Sequence, residues 1–311
     1  METKTPNRSV LIAFILTVLL AGNNAIAVRF SNVEIPPLFG AAFRFAAAGL
    51  LLFGMVVILR LPLPRGRSLL GAFIFGMIGT GINFALMYNA LEHLQAGTAM
   101  VILALVPLLT FLFACIHKQE AFRWKSFIGA LLAAGGILII VGGQINAQVP
   151  ILPVLTVVGA AACFAEAAVV LKIFPQSHPI TTNAVALSTG SVVLFILSAL
   201  WRERPVLPRL AVTWGSVIYL IIFGSVITFV LTVYVIKNWT ASASAYQFVL
   251  FPFVTISMGA WLAHETVSSE LLLGAVLVLA GVYLGGIAKG GQFKGVYTAL
   301  RARFRASSSD C

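Results

Sequence analysis

The sequence predicts an all-α integral membrane protein of ten transmembrane helices, arranged as two five-helix repeats of inverted topology. Three observations carry this expectation. Of 311 residues, 60% are hydrophobic and 9% charged, against about 25% charged in a soluble domain. So few charges cannot clothe a water-facing surface of this size, and lipid must cover most of it. The apolar residues fall into ten stretches of about 20 residues, the length that crosses a bilayer as a helix. Finally, Ala96, Pro107, Glu120, Gly129 and Gly136 recur as Ala241, Pro252, Glu265, Gly274 and Gly281, each 145 positions later.

The spans follow in order. The first, Val10–Val28, is preceded by Lys4 and Arg8. Ala25-Ile26-Ala27 resembles a signal-peptidase site, but the apolar run continues past it and contains Asn23-Asn24, so the span is read as retained. The second, Pro37–Leu59, opens on Pro36-Pro37 and carries Arg44 seven residues in. The third, Leu69–Leu91, holds Asn83, Tyr88 and Asn89, and the fourth, Thr98–Ile116, holds Pro107. The fifth, Trp124–Val141, is rich in glycine at Gly135-Gly136. The sixth, Ile151–Ile173, carries Glu166, and the seventh is Thr181–Leu200. The eighth, Val212–Ile236, holds Thr228, Thr232 and Tyr234; the ninth, Ala241–Leu262, holds Ser242, Tyr246, Gln247 and Pro252. The tenth, Leu271–Ala288, contains the pattern Gly281-Val282-Tyr283-Leu284-Gly285.

The net charge of +11 does not read as nucleic-acid binding, because the bases cluster at span ends. With the N-terminus placed in the cytoplasm, fifteen Lys and Arg residues fall on the inner side and four on the outer, which orients both termini inward. The basic tail after Lys289 then faces anionic lipid head groups. Cys115 and Cys163 lie inside apolar runs and Cys311 is the last residue, so neither a disulfide framework nor a Cys-based metal site is expected. The lone aspartate is Asp310. No cofactor is implied.

Upstream, the repeat continues at an offset of 143: Asn23, Arg29 and Pro36 match Glu166, Lys172 and Pro179. Spans one to five thus correspond to six to ten. Five is odd, so the copies enter the membrane from opposite sides, with a site expected near the midplane between them. The units are 10–143 and 149–288, followed by a cytoplasmic tail, 289–311.

The segment from Tyr88 to Ala99, followed by Pro107, Glu120 and Gly129…Gly136, resembles the EamA-type repeat of the drug/metabolite transporter superfamily. Tyr234, Ala241, Pro252, Glu265 and Gly274…Gly281 form a similar second copy. Gly22–Ala27, Pro36-Pro37 and Phe43-Arg44-Phe45 look like the family's first two helices. The resemblance implies a secondary transporter in the inner membrane, moving a small amino acid-like or other polar or amphipathic metabolite, more often outward. A passive facilitator or an importer is the alternative.

Candidate pathway residues are Asn23, Asn83, Asn89, Glu166, Tyr246 and Gln247, because polar groups within a span need partners or a wet cavity. Glu166 is the proton-coupling candidate. Burial disfavours its ionised form, and small multidrug exporters of the superfamily carry a proton-coupled Glu in their first helix. Arg44 reads as a structural charge that snorkels outward, or as a partner for a substrate carboxylate. The resemblance favours structure, since an Arg here is common to relatives with different substrates. Pro107 and Pro252 are expected to kink equivalent helices. Glu120 and Glu265 mark span ends. The small-residue faces of spans five and ten are expected to pack within a monomer, with a homodimer as the alternative. An intramembrane enzyme would need a nucleophile and base, or paired ligands, at depth. The four histidines all fall at span ends or in loops. A channel would need a charged ring or carbonyl filter, and neither is legible.

Overall fold

A computed structural model describes residues 7–119, 124–146, 151–175, 177–238, 247–265 and 267–287. Glu120, Ala241, Ser242, Tyr246 and the tail after Lys289 lie outside the described residues. No strand occurs among those described. This follows from the solvent: in hydrocarbon every backbone N–H and C=O must be satisfied internally, and a helix does so within one segment.

The helices are α1 (Arg8–Gly22), α2 (Asn24–Ser31), α3 (Pro37–Ile58), α4 (Arg67–Phe75), α5 (Asn83–Ala90), α6 (Ala96–Leu103), α7 (Val106–Ile116), α8 (Trp124–Asn146), α9 (Ile151–Leu171), α10 (Pro179–Leu200), α11 (Ala211–Ile221), α12 (Thr228–Asn238), α13 (Gln247–Leu262) and α14 (Ser269–Ile287). Gly76–Ile82 joins α4 to α5 as a π-helical turn, and Ile222–Ile227 joins α11 to α12 in the same way. Seven of the resulting rods are long and apolar enough to cross a bilayer. Three more, within 127–140, 247–262 and 269–281, are apolar but shorter over the described residues. Leu50, Val57, Ile58, Leu138, Leu155 and Val276 are exposed on the exterior, while Arg44, Asn83, Asn183 and Gln247 are buried. Apolar outside and polar inside suits lipid, and the protein is a multi-pass membrane protein.

Four of the described rods are interrupted, two at a break between helices and two at a π-turn. Asn23 separates α1 from α2; its Nδ2 donates to Leu19 O at 3.0 Å, competing with the helical ladder. The Pro107 span is two helices, not one bent helix. α6 ends at Leu103, and Pro107 sits in the first turn of α7, where its missing N–H costs nothing. Pro252, by contrast, is buried inside the continuous helix α13. The two π-turns contain Gly79 and Gly224, which are 145 positions apart.

α3 packs on α10, and α8 on α14. The second contact uses the small residues: a Cβ on Gly136 would stand 2.6 Å from Gly274 O and 2.8 Å from Val278 N. The small-residue faces of spans five and ten thus meet each other within the chain. α9 packs against α5, α6 and α7, and α1 packs against α12 and α13, so the first helix of each matching half lies against the other half.

Candidate functional site

A cavity of about 650 Å³ lies among α2, α3, α5, α7, α9, α12 and α13, within the range of small-molecule sites. Its border is mostly apolar and rich in phenylalanine, including Phe84, Phe164, Phe229, Phe248 and Phe251. Polar side chains enter at chosen points. Asn24, Arg44, Asn83 and Tyr88 come from the first half of the chain, and Thr228, Thr232 and Gln247 from the second. Gln119 and Lys172 stand at one end of the cavity, where both are exposed. At the other end Val28, Tyr88 and Leu91 are buried.

Arg44 is the centre of the polar set. It lies about 10 Å along α3 from Pro37, at 1.5 Å per residue, and is 1% exposed, so it does not snorkel to the interface. Nε donates to Ser225 Oγ at 2.8 Å, Nη2 to Gly224 O at 2.8 Å and Nη1 to Tyr88 Oη at 3.2 Å. Its guanidinium carbon stands 4.8 Å from the Phe45 ring centroid and 5.5 Å from that of Phe84, at cation–π distance. The π-turn supplies the free carbonyl: Gly224 O also accepts from Asn24 Nδ2 at 3.2 Å. Glycine gives room for this approach, since a Cβ at position 224 would displace the Asn24 amide. In the other half a Cβ on the corresponding Gly79 would stand 2.9 Å from the Ala167 Cβ. Asn24 and Arg44 correspond to Ala167 and Leu187 at the offset of 143, so the halves share a backbone device and differ in its polar occupants.

The remaining candidates distribute as follows. Asn83 is buried at the cavity, with Nδ2 donating to Gly79 O at 3.0 Å. Gln247 is 1% exposed, and its Nε2 has no partner among the described residues. Asn23 does not border the cavity; its neighbour Asn24 does. Asn89 is exposed and away from it. Glu166 also lies off it: its Oε1 is 2.7 Å from His117 Nε2, with both side chains about 30% exposed. Pro107 borders the cavity.

Sequence reasoning missed a set of cross-chain caps. Glu265 pairs with Arg29 and accepts from the N–H groups of Ala96 at 2.9 Å and Gly97 at 3.3 Å, closing the start of α6. Glu203 accepts from Leu38 N at 3.1 Å and Phe39 N at 2.7 Å, at the start of α3. Glu34 accepts from Arg209 N at 3.2 Å and Leu210 N at 2.9 Å, at the start of α11. The Leu210 bond above all holds the Glu34 carboxyl below its usual range. Each carboxylate sits at a helix N-terminus, where exposed N–H groups and the dipole favour negative charge. The signal present in sequence was a Glu just outside a span; its partner is 164 to 176 residues away.

Comparison with known proteins agrees with this architecture. The model of the EamA-like transporter family matches twice, over residues 8–142 and 151–286. The uncharacterized inner membrane transporter YedA of Escherichia coli (strain K12) is 29% identical over 279 residues, covering 86% of this chain and 89% of that protein. An uncharacterized transporter of Archaeoglobus fulgidus is 24% identical over 280 residues, covering 88% and 97%. A solved crystal structure, 18% identical, superposes with a TM-score of 0.63 over 90% of this chain and 98% of its own, a likeness of fold.

Proposed function

This chain belongs to the EamA-like transporter family, and from that premise we propose that it is a secondary transporter exporting a small metabolite across the inner membrane by alternating access. The observation that carries the reading is the cavity of about 650 Å³ bordered by side chains from both family-matched segments. A site between two repeats can be opened to either side by rocking one against the other. The reading takes all ten apolar rods as spans, the two repeats as inverted, and both termini as cytoplasmic. The recurrence of a π-turn at Gly79 and Gly224 supports the repeat. So does the reciprocal packing of α1 and α9 on the opposite halves.

In this reading the end of the cavity at Lys172 and Gln119 faces the cytoplasm, and the end beneath Arg29 and Glu265 faces outward. The carboxylate caps at Glu34, Glu203 and Glu265 each join one half to the other on the outward side, and the cytoplasmic end has exposed polar residues. The conformation is then one that receives substrate from inside. Opening outward requires the caps to part, and closing inward requires α7 and α9 to approach.

The test is metabolite profiling of medium from overexpressing and deletion cells. A compound that rises in one and falls in the other names the cargo. No change across amino acids, organic acids, nucleosides and amines overturns the export reading.

A second reading, proton-coupled export, draws on the His117–Glu166 pair, which joins the end of α7 to α9 at the cytoplasmic end. Glu166→Gln, assayed in proteoliposomes under an imposed pH gradient, decides it. Gradient-driven flux that survives the substitution removes Glu166 from coupling and leaves a facilitator.

A further inference from the structure

Arg44 has five N–H donors, and the three hydrogen bonds it makes are all to neutral acceptors. Among the described residues two N–H groups and the whole formal charge therefore lack a matching group. Among the described residues no carboxylate pairs with Arg44, and none borders the cavity. A guanidinium held away from water without an anion is costly, and the neighbouring rings of Phe45 and Phe84 offset only part of that cost. The two further uncommitted polar atoms at the cavity are Gln247 Nε2 and Asn24 Oδ1, both buried without a partner among the described residues. Around them the border is aromatic. Phe84 and Phe229 stand 6.0 Å apart, Phe164 and Phe248 4.9 Å, and Phe248 and Phe251 5.0 Å, centroid to centroid.

We infer that the cavity binds a small organic monocarboxylate with an apolar or aromatic body, its carboxylate on the free edge of Arg44 and its body against the phenylalanines. This rests on the transporter reading of the same cavity and names its substrate class. A guanidinium presents parallel N–H groups that match the two oxygens of a carboxylate. Gln247 adds a donor to the anion, and Asn24 Oδ1 an acceptor for a hydroxyl on the body. A free amino acid fits less well, because its ammonium group meets no acid on the described border. The opposite half has Ala167 and Leu187 in place of Asn24 and Arg44, so the device is built once, for one anion.

The test is equilibrium binding of radiolabelled 3-phenylpropanoate to the purified protein in detergent micelles, with 3-phenylpropanamide and phenylalanine as competitors. The acid is expected to bind about tenfold or more tightly than either, the ratio of a charge-assisted hydrogen bond. Arg44→Lys keeps the charge but not the fork, and is expected to weaken the acid about tenfold with little effect on the amide. Equal affinity of acid and amide, phenylalanine binding as tightly as the acid, or no saturable binding of the acid each overturns the inference. The comparison of ligands uses the unaltered chain, so it decides the matter even if Arg44 variants fail to fold. Cells that export no compound while the acid-to-amide preference holds would strike the export reading alone. Export with no such preference would strike the anion site alone.

Discussion

Glu265→Ala should unfasten one side of the bundle, and its cost can be worked from the contacts it removes. The Glu265 side chain is 6% exposed, and that of Arg29 is 36% exposed. Alanine leaves two N–H groups at the start of α6 without an acceptor, and loss of a helix cap costs about 1 kcal/mol. The ion pair adds about 1 kcal/mol, held to that value because Arg29 is more than a third exposed and solvent screens it. Water reaching the vacated site is restricted by the burial of Ala96 and Gly97, so part of the penalty for an orphaned donor, about 1 kcal/mol, also remains. The sum is about 2–3 kcal/mol. Glu265→Gln keeps one oxygen for the Ala96 N–H and loses the charge, for about 1 kcal/mol. The assay is equilibrium unfolding in mixed micelles by increasing SDS, followed by far-ultraviolet circular dichroism. A double-mutant cycle with Arg29→Ala should return a coupling of about 1 kcal/mol. A Glu265→Ala protein within about 0.5 kcal/mol of the parent, together with zero coupling to Arg29, would refute the cap.

Two further outcomes follow from the packing and the electrostatics. Gly136→Ala places a Cβ against the backbone of Gly274 and Val278, which cannot rotate aside. α8 and α14 must separate, at about 1–3 kcal/mol, and the same SDS titration should show it, whereas Gly135→Ala, with open space at its Cβ, should be neutral. For Glu34, the folded state holds the carboxyl below its ordinary value, chiefly through the Leu210 N–H. Its contribution to stability is therefore present above the ordinary carboxylate range and is lost as pH falls through the lowered value. Protection of the Arg209 and Leu210 amides from hydrogen exchange, taken relative to the intrinsic rate, should be high at neutral pH and fall as the pH drops through the lowered value; Glu34→Ala should lack it at both. Acid-insensitive protection of these amides would contradict the assignment.

The helical rods were legible because each satisfies its own backbone within about 20 neighbouring residues. The hydrophobic runs therefore report them directly. The doubling was legible because Pro, Glu and Gly recur at constant spacing. Even so, the meaning of those markers differed between copies: Pro107 starts a helix, and Pro252 lies within one. The π-turns were not legible, since their carbonyls are taken by different partners, Asn83 four residues on at Gly79 and the distant Asn24 and Arg44 at Gly224. The glutamate caps were placed at span ends by the sequence but not matched to a helix start, because that pairing is a property of assembled helices.

Arg44 and Glu166 mark the same boundary from opposite sides. By sequence alone, Glu166 was the deep and lonely charge, and Arg44 the one near enough to an interface to escape. Depth along a helix is one-dimensional and can be counted. What faces a side chain is set by rotation about the helix axis and by the neighbour across it. That second quantity turned Glu166 toward His117 at an exposed end and enclosed Arg44 with Ser225, Gly224 and Tyr88. Chain composition and spacing determined that this protein lives in lipid, is mostly helix and carries its repeat twice. Only the tertiary structure decided which of its few charges is enclosed at the cavity, because burial and partnership are made between helices about 180 residues apart.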